Sequence, residues 1–241
     1  MNNKPLIAIT GASSGIGAAT ARVFSEAGYP VLLMARRLDM LEALGLPNSI
    51  CAKVDVLDKV SLAAAIHNAE QTYGPVDCLI NNAGIMMNGT AKDQATEQWD
   101  AMIDVNMKGL LYGIKAVLPA MVKRQGGTII NVGSIAGRKT FQAHSVYSGT
   151  KFAAHAISES IREEVASSNV RVITIAPGMV ETELVSHTTQ DDAREGWYDY
   201  AKKIGGALSP KDIADSMLYA YQAPQSVCIR EIVICPTRQE P

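Results

Sequence analysis

Charge is scarce in this sequence, and neither sign is in clear excess. Charged residues make up 19% of the 241 residues, with 22 Lys and Arg against 24 Asp and Glu and a formal net charge of −2. A chain with a pI near 6.1 lacks the basic field that attracts nucleic acid or anionic lipid. We therefore expect neither a nucleic acid nor a membrane among its partners.

Cysteine is also rare, and its spacing excludes the common cysteine frameworks. The four cysteines are Cys51, Cys78, Cys228 and Cys235, without CxxC spacing and without histidine pairing. Three of them lie in apolar runs that are typical of strands, which favours buried, reduced thiols over a disulfide framework. No cluster of His, Cys and carboxylates has the spacing of metal ligands, so no catalytic metal is expected.

Long hydrophobic runs are missing. The N-terminal apolar run, PLIAIT at 5–10, is too short for a signal peptide and is typical of a first strand. The longest candidate for a membrane span, LLYGIKAVLPAMV, is interrupted by Lys115 and Pro119. These absences predict a cytoplasmic protein.

Short β-branched runs alternate with longer amphipathic segments along the whole chain. Strands are predicted near 5–10, 30–35, 50–54, 77–81, 127–133, 170–176 and 228–234, and helices near 15–28, 37–44, 58–73, 96–123, 146–168 and 210–222. Several strands are almost continuously apolar, as in a parallel sheet that helices cover on both faces. The pattern predicts an α/β fold with a Rossmann-type, doubly wound parallel sheet of about seven strands and helices on both faces. No linker interrupts it, so 1–241 is predicted to be a single domain.

One polar segment, 186–206, fits this alternation poorly. It contains Trp197, Tyr198 and Tyr200 and lies between a Pro-Gly turn and a helix that is predicted to start after Ser209. A polar insertion with aromatic residues after a late strand is typical of a substrate-binding lid. A surface helix or an oligomer contact remains an equal alternative.

The first predicted strand runs into the glycine-rich stretch TGASSGIG. Glycines at this position let the backbone approach a phosphate, and the following helix directs its N-terminal amides at the same point. The stretch favours a dinucleotide-binding loop, although a plain strand-to-helix turn can also be glycine-rich. The candidate cofactor contacts here are Gly11, Ser13, Ser14, Gly15, Ile16 and Gly17.

The second predicted strand ends in MARRLDM, where many dinucleotide sites carry an acid. This chain instead has Arg36 and Arg37, and no acid before Asp39. Guanidinium groups suit a 2′-phosphate, and Ser13 is near enough in the loop to assist. The pair favours NADP(H) over NAD(H). The alternative is that both arginines belong to a solvated helix start.

Further motifs follow the glycine loop along the chain. They are NNAG at 81–84, Asn106 in VNMKG, Ser134 in NVGSIAG, and Tyr147 with Lys151 in SVYSGTK. In this order and spacing, together with TGASSGIG, they resemble the short-chain dehydrogenase/reductase family over essentially the whole chain. The resemblance implies an oxidoreductase that interconverts a small carbonyl compound and its alcohol, and Arg36 and Arg37 favour NADP(H) as its cofactor.

The resemblance implies a catalytic role for Asn106, Ser134, Tyr147 and Lys151. Reduction of a carbonyl needs a proton at oxygen, and Tyr147 would supply it as general acid/base. Residues four apart on a helix share a face, so Lys151 could stabilise the Tyr147 phenolate; in the family it also holds the nicotinamide ribose. Ser134 would bind the substrate oxygen, and Asn106 would hold a water that relays protons.

Other positions match cofactor contacts of the family. Asp55 and Val56 follow the third predicted strand, where the family contacts the adenine. The remaining matches are Asn82, Ala83, Gly84, Pro177, Gly178 and Thr182. Asn82, Ala83 and Gly84 could instead form a strand-ending turn that supports the glycine loop.

The substrate is less readable. REIVICPTRQEP and NMKGLLYGIKAVLPAM resemble the family branch that contains NADP-dependent 3-hydroxy acid (serine-type) and clavulanate-type dehydrogenases. Arg138 and Lys139 could pair with a substrate carboxylate or be solvated loop charges, and His144 could face the substrate or be solvated. A 3-oxoacyl-carrier-protein reductase and a cofactor-sensing, non-catalytic regulator are the rival functions. The family also implies a homo-oligomer, a dimer or a tetramer, with a small-molecule substrate.

Overall fold

The computed structural model describes residues 4–188 and 190–240, and one sheet of seven parallel strands forms its centre. The strands are β1 (Leu6–Thr10), β2 (Val31–Ala35), β3 (Ser49–Lys53), β4 (Val76–Asn81), β5 (Gly127–Val132), β6 (Val170–Pro177) and β7 (Glu231–Ile234). Their order across the sheet is β3-β2-β1-β4-β5-β6-β7, and every neighbouring pair is parallel. The predicted seven-stranded parallel sheet is confirmed.

Helices cover both faces of this sheet. They are α1 (Gly15–Glu26), α2 (Leu38–Glu42), α3 (Lys59–Tyr73), α4 (Thr96–Ile103), α5 (Leu110–Arg124), α6 (Ser145–Val165), α7 (Asp191–Lys203) and α8 (Pro210–Gln222). Alternate residues of one strand enter opposite cores: Leu6 packs with α3 and α5, whereas Ile7 packs with α1 and α8. Because successive side chains of a strand point to opposite faces, a strand buried on both faces is apolar throughout.

The predicted helix 96–123 is wrong as a single helix. It is divided into α4 and α5 by a π-helical turn at Asp104–Gly109. At the end of this turn the backbone of Gly109 approaches Val56 so closely that a Cβ would lie 2.7 Å from that side chain. The wider turn directs Asn106 into the interior, where it is 4% exposed.

Other boundaries differ less. The predicted strand 228–234 begins only at Glu231, so Cys228 precedes it and is exposed, and the expectation of a buried thiol there is wrong. Within the predicted lid, 186–206, the chain forms the helix α7; Thr189 lies outside the described residues, as do 1–3 and 241 of the predicted domain. None of the helices in the described part of the chain is long and apolar enough to cross a membrane.

Candidate functional site

A cleft of about 1350 Å³ runs along the carboxyl ends of the strands. It gathers all but two of the residues that the sequence predicts for the site. Those that line it are Gly11, Ser13, Ser14, Gly15, Ile16, Arg36, Arg37, Asp55, Val56, Asn82, Ala83, Gly84, Ser134, Tyr147, Lys151, Pro177, Gly178 and Thr182. Gly17 and Asn106 lie behind the cleft wall instead.

The glycine loop between β1 and α1 has a backbone that only small residues permit. Gly15 has a φ of +52°, in the left-handed region. A Cβ on Gly17 would overlap the carbonyl oxygen of Gly11, so Gly17 permits close packing within the loop. Ser14 precedes α1 without capping it through its side chain, which leaves the first amides of the helix directed at the cleft.

Thr10, at the end of β1, joins this loop to the segment after β4. Its hydroxyl oxygen accepts hydrogen bonds from the backbone amides of Asn82 and Ala83, both at 3.1 Å. The Asn82 side chain donates in return to the carbonyl oxygens of Thr10 and Gly11, at 3.0 and 3.1 Å. Asn82 therefore supports the glycine loop in addition to lining the cleft. Thr10 was not expected from the sequence to support the site, although its position at the end of the first strand, directly before Gly11, is a usable signal.

Arg37 is already engaged at the other end of the glycine loop. Its Nη2 donates to the hydroxyl oxygens of Ser13 at 3.2 Å and Ser14 at 2.9 Å, and to Glu183 Oε2 at 3.1 Å. Glu183 lies in the short 3₁₀ helix Glu183–His187. The Arg37 hydrogen bond, followed by one from Ser14, lowers the pKa of Glu183. Glu183 was not expected from the sequence.

Tyr147, near the start of α6, lies 6% exposed at the floor of the cleft. Burial raises the pKa of Tyr147 to about 12, partly offset by a hydrogen bond with the Ser134 side chain. Ser134 Oγ also accepts from the Ala136 amide at 3.1 Å, which holds the hydroxyl at the start of the 3₁₀ helix Ile135–Gly137. The tyrosine is thus protonated at neutral pH.

Lys151 lies one turn further along α6. Its Nζ donates to the carbonyl oxygen of Val132 at 2.9 Å and lies 5.8 Å from the centroid of the Tyr147 ring. Burial lowers the pKa of Lys151 to about 8, so most of the population remains cationic at pH 7. A cation at this distance favours ionisation of the phenol.

Asn106 reaches the site indirectly. Its side chain accepts from the Ile85 amide and donates to the Ile85 carbonyl, both at 2.9 Å, and also donates to Thr150 Oγ1 at 3.1 Å. Asn106 therefore fixes the segment after NNAG against α6, close to both Gly84 and Tyr147.

A polar relay lies behind Ser134. The Ser134 amide donates to His155 Nε2 at 3.3 Å, and His155 Nδ1 lies 3.2 Å from Glu231 Oε1. The other Glu231 oxygen pairs with Arg138. Arg138 therefore anchors the loop after Ser134 to β7. His155 and Glu231 were not identified from the sequence, which carries no local signal for a contact between α6 and the last strand.

His144, left open by the sequence, is also tied into the protein. Its Nδ1 contacts the Gln142 carbonyl oxygen at 2.7 Å, and its Nε2 contacts Asn88 Nδ2 at 2.9 Å. These partners require a neutral ring with the proton on Nδ1. Burial lowers the pKa of His144, in agreement with that state.

The wall beside Tyr147 is apolar. The residues that both line the cleft and pack in the cluster around Tyr147 include Met86, Ala136, Phe141, Leu184, Val185 and Trp197. Trp197 comes from α7, which contributes Tyr200 to the cleft as well, whereas Tyr198 is 46% exposed. Apart from Trp197 and Tyr200, sequence reasoning missed this wall, because apolar residues in loops resemble ordinary core.

Several known proteins are similar to this chain over nearly its whole length. Residues 5–193 match the family model described as short chain dehydrogenase. An uncharacterized oxidoreductase of Staphylococcus saprophyticus is 40% identical over 247 aligned positions, which cover 99% of each chain. The closed form of a serine dehydrogenase complexed with NADP+ has a TM-score of 0.91 at 31% identity, covering 98% of this chain and 96% of that chain. An alcohol dehydrogenase from Thermococcus sibiricus, complexed with 5-hydroxy-NADP, has a TM-score of 0.86 at 26% identity and 99% coverage of both chains.

Proposed function

Because the chain belongs to the short chain dehydrogenase family of oxidoreductases, we propose that it is NADP(H)-dependent and interconverts a small carbonyl compound with its alcohol. The observation that carries the proposal is the cluster at the cleft floor. There Ser134, Tyr147 and Lys151 line the same part of the cleft, burial raises the pKa of Tyr147 while the Ser134 side chain acts to lower it, and the buried Lys151 ammonium lies 5.8 Å from the Tyr147 ring. This arrangement joins a proton donor (Tyr147), a hydrogen-bond donor for the developing oxyanion (Ser134) and a cation that favours the ionised form of the proton donor (Lys151).

The cleft residues fit a dinucleotide phosphate. Gly11 and Gly15 present their backbone to the cleft without a side chain in the way. A Cβ on Gly15 would lie 3.1 Å from the Thr182 side chain and would narrow the cleft there. The first amides of α1 face the same region, which suits a pyrophosphate. Arg36 and Arg37, with the Ser13 and Ser14 hydroxyls, suit a 2′-phosphate. The complexes of the similar serine and alcohol dehydrogenases with NADP+ and 5-hydroxy-NADP support the same choice.

The glycine loop with Arg36 and Arg37 would hold the cofactor in the cleft, and its reduced nicotinamide would supply the hydride to the carbonyl carbon. Tyr147 donates its hydroxyl proton to the carbonyl oxygen as negative charge develops there, and Ser134 donates a hydrogen bond to the same oxygen. The Lys151 charge then stabilises the phenolate until a solvent proton restores it. The product is the alcohol, formed from one hydride and one proton.

The protonation state of Tyr147 favours carbonyl reduction near neutral pH. With a pKa of about 12, the phenol is protonated and ready to donate. The reverse reaction needs the phenolate, so oxidation of the alcohol should accelerate as the pH rises. Asn106 acts as a positioning residue, since its side chain holds Ile85 and Thr150 rather than the cleft contents.

The proposal is tested by NADPH oxidation against a panel of ketones, aldehydes, dicarbonyls and 3-oxo acids. Tyr147→Phe should lower kcat by about 100-fold or more while NADPH affinity changes little, because only the transferred proton is removed. Tyr200→Phe removes a hydroxyl from another cleft tyrosine and serves as the matched control. Undiminished turnover in Tyr147→Phe would refute the mechanism, and cofactor binding without turnover of any substrate would favour the non-catalytic regulator.

We further propose that 186–206 acts as a substrate-binding lid. Trp197 and Tyr200 of α7 line the cleft, and the start of the segment is hydrogen-bonded to the chain just after Met86 and Met87, which also line the cleft. There Thr188 Oγ1 accepts from the Asn88 amide and Gln190 Oε1 from the Thr90 amide, both at 3.3 Å. Amide hydrogen exchange with and without NADPH and substrate should show protection of α7 only when the cleft is filled.

A homo-oligomer, a dimer or a tetramer, completes the proposal. Leu111 on α5, Phe152 on α6 and Val233 on β7 are 39%, 41% and 45% exposed, on the elements that the family resemblance implies for association. Light scattering after size exclusion measures the state directly. A monomer at micromolar concentration would exclude the oligomer.

A further inference from the structure

The part of the cleft beside Tyr147 has the composition of a receptor for apolar groups. Met86, Phe141, Leu184 and Trp197 pack around this tyrosine and also line the cleft. Methionine adapts its shape to irregular ligands, and aromatic rings supply large apolar contact areas. A substituent on the reacting carbonyl would therefore meet apolar walls.

Of the described lysine and arginine side chains in the cleft, two already have partners. Among the described residues that line it, the lysines and arginines are Arg36, Arg37 and Lys151. Arg37 is bonded at the glycine loop, and Arg36 precedes it directly at the end of β2. Lys151 donates to the Val132 carbonyl and supports Tyr147. This set leaves no lysine or arginine for a carboxylate on the substrate.

The histidines of the cleft do not replace them. Both ring nitrogens of His144 are engaged, by Gln142 and Asn88, and burial lowers the pKa of His144. The pKa of His187 is lowered by burial and by the charge of Arg36. His187 therefore lies near the part of the cleft that Arg36 lines rather than beside Tyr147.

Arg138 and Lys139, the two cations in the loop after Ser134, do not line the cleft. Arg138 is paired with Glu231, and Lys139 lies 5.9 Å from the ring centroid of Phe141. The lid contributes the carboxylate of Asp192 to the cleft, whereas the Glu183 carboxylate is paired with Arg37 at the glycine loop. An anionic substrate would therefore meet the Asp192 carboxylate at the lid, and the lysine beside Tyr147 among the described cleft residues is Lys151, which already donates to the Val132 carbonyl.

We infer that the substrate is a neutral ketone or aldehyde bearing an apolar substituent, or the corresponding alcohol, and not a carboxylate-bearing oxo or hydroxy acid. The inference rests on the proposed function and narrows its substrate class. Burial of a carboxylate without a partner is strongly unfavourable, because the charge loses its hydration and gains no counter-charge. We expect discrimination of about 100-fold or more against the acid.

The test compares two substrates with the same reacting carbon. Methyl acetoacetate is neutral, whereas acetoacetate carries the carboxylate, and each ketone takes one hydride and one proton to become the 3-hydroxy product. With NADPH at about pH 7, kcat/KM for the ester should exceed that for the acid by about 100-fold. Equal values, or a preference for the acid, would overturn the inference.

A variant tests whether the lack of a cation at the apolar wall causes the expected discrimination against the acid. Leu184 is only partly buried, so Leu184→Arg can keep its charge solvated at the cleft wall. It should raise kcat/KM for acetoacetate relative to the ester by about tenfold, whereas Leu184→Met should keep the original preference. Failure of Leu184→Arg to improve the acid, while NADPH binding is unchanged, would contradict the argument.

Binding gives a readout that does not need turnover. Trp197 lies in the apolar wall, so its fluorescence in a Trp99→Phe background should change on titration with the ester, and at much higher concentration or not at all with the acid. The results that would overturn the substrate class differ from those that would overturn the proposed oxidoreductase function. Loss of the acid–ester difference with Tyr147→Phe still inactive overturns only the substrate class, whereas turnover that survives Tyr147→Phe overturns the proposed function.

Discussion

The contact between Glu183 and Arg37 leads to a quantitative prediction about cofactor affinity. Arg37 Nη2, the atom that donates to Ser13 and Ser14, also donates to Glu183. If Arg37 binds the 2′-phosphate of NADPH, the phosphate must displace this carboxylate. Glu183→Gln should therefore tighten NADPH binding.

The size of the effect follows from exposure. The Arg37 and Glu183 side chains are 48% and 55% exposed, and ion pairs in that setting contribute about 0–1 kcal/mol. Removal of the competing pair should lower the Kd for NADPH by up to about fivefold. NADH has no 2′-phosphate, so its Kd should change by less than about twofold. The gain should shrink between about 0.05 M and 0.5 M salt, because screening weakens exposed charges.

Fluorescence titrations of NADPH and NADH measure these constants. Glu181→Gln removes the same charge two residues away, from a position that does not line the cleft, and is the matched control. Arg37→Gln should weaken NADPH binding by about tenfold or more, since a charge-assisted contact is lost. Weaker NADPH binding in Glu183→Gln, or an equal change for both cofactors, would refute the reasoning.

Three further predictions concern stability. Burial lowers the pKa of Lys151 from 10.5 to about 8, so between these pH values the unfolded chain binds a proton that the folded protein does not. The free energy of unfolding should therefore rise by about 1.4 kcal/mol per pH unit relative to that of Lys151→Met. Urea titrations at about pH 8 and about pH 10 measure it, and an equal change in both proteins would contradict this prediction. Asn106→Ala leaves the buried amide and carbonyl of Ile85 without partners, so urea unfolding should show a loss of about 2–4 kcal/mol, and a loss below about 1 kcal/mol would be too small for this account. Gly149→Ala, where a Cβ meets open space in α6, should gain about 0.5–1 kcal/mol, whereas Gly17→Ala should destabilise through overlap with Gly11; similar melting temperatures for the two would argue against the described packing.

The fold could be predicted because its main signal is local. The central strands are buried on both faces and are therefore mostly apolar, as LIAIT in β1 and VLLMA in β2 show. Glycine and polar motifs follow these strands directly, and the carboxyl ends of parallel strands meet at one edge. That is why Gly11 and Ser134 could be assigned to one cleft, whereas Tyr147, which lies in a helix, was assigned to it through the family resemblance.

The remainder depends on contacts that no local pattern encodes. The π-helical turn at Asp104–Gly109 ends where Gly109 packs closely on Val56, and helical periodicity in the sequence reveals neither feature. Arg138 was left between a substrate role and solvation, yet its partner Glu231 is 93 residues away. Glu183 and Arg37 are likewise separated by 146 residues. Long-range charge pairing of this kind requires the folded chain.

The relay from Ser134 through His155 to Glu231, together with the contact of Gln239 Oε1 with the Met179 amide at 2.9 Å, has a consequence for biosynthesis. A ribosome makes the chain from its amino terminus. The glycine loop and its hydrogen bonds with Asn82 can therefore form long before Glu231 and Gln239 emerge. We expect a nascent chain halted before Glu231 to lack the support of the Ser134 loop. Late completion of this kind would keep an unfinished polypeptide from consuming reducing equivalents.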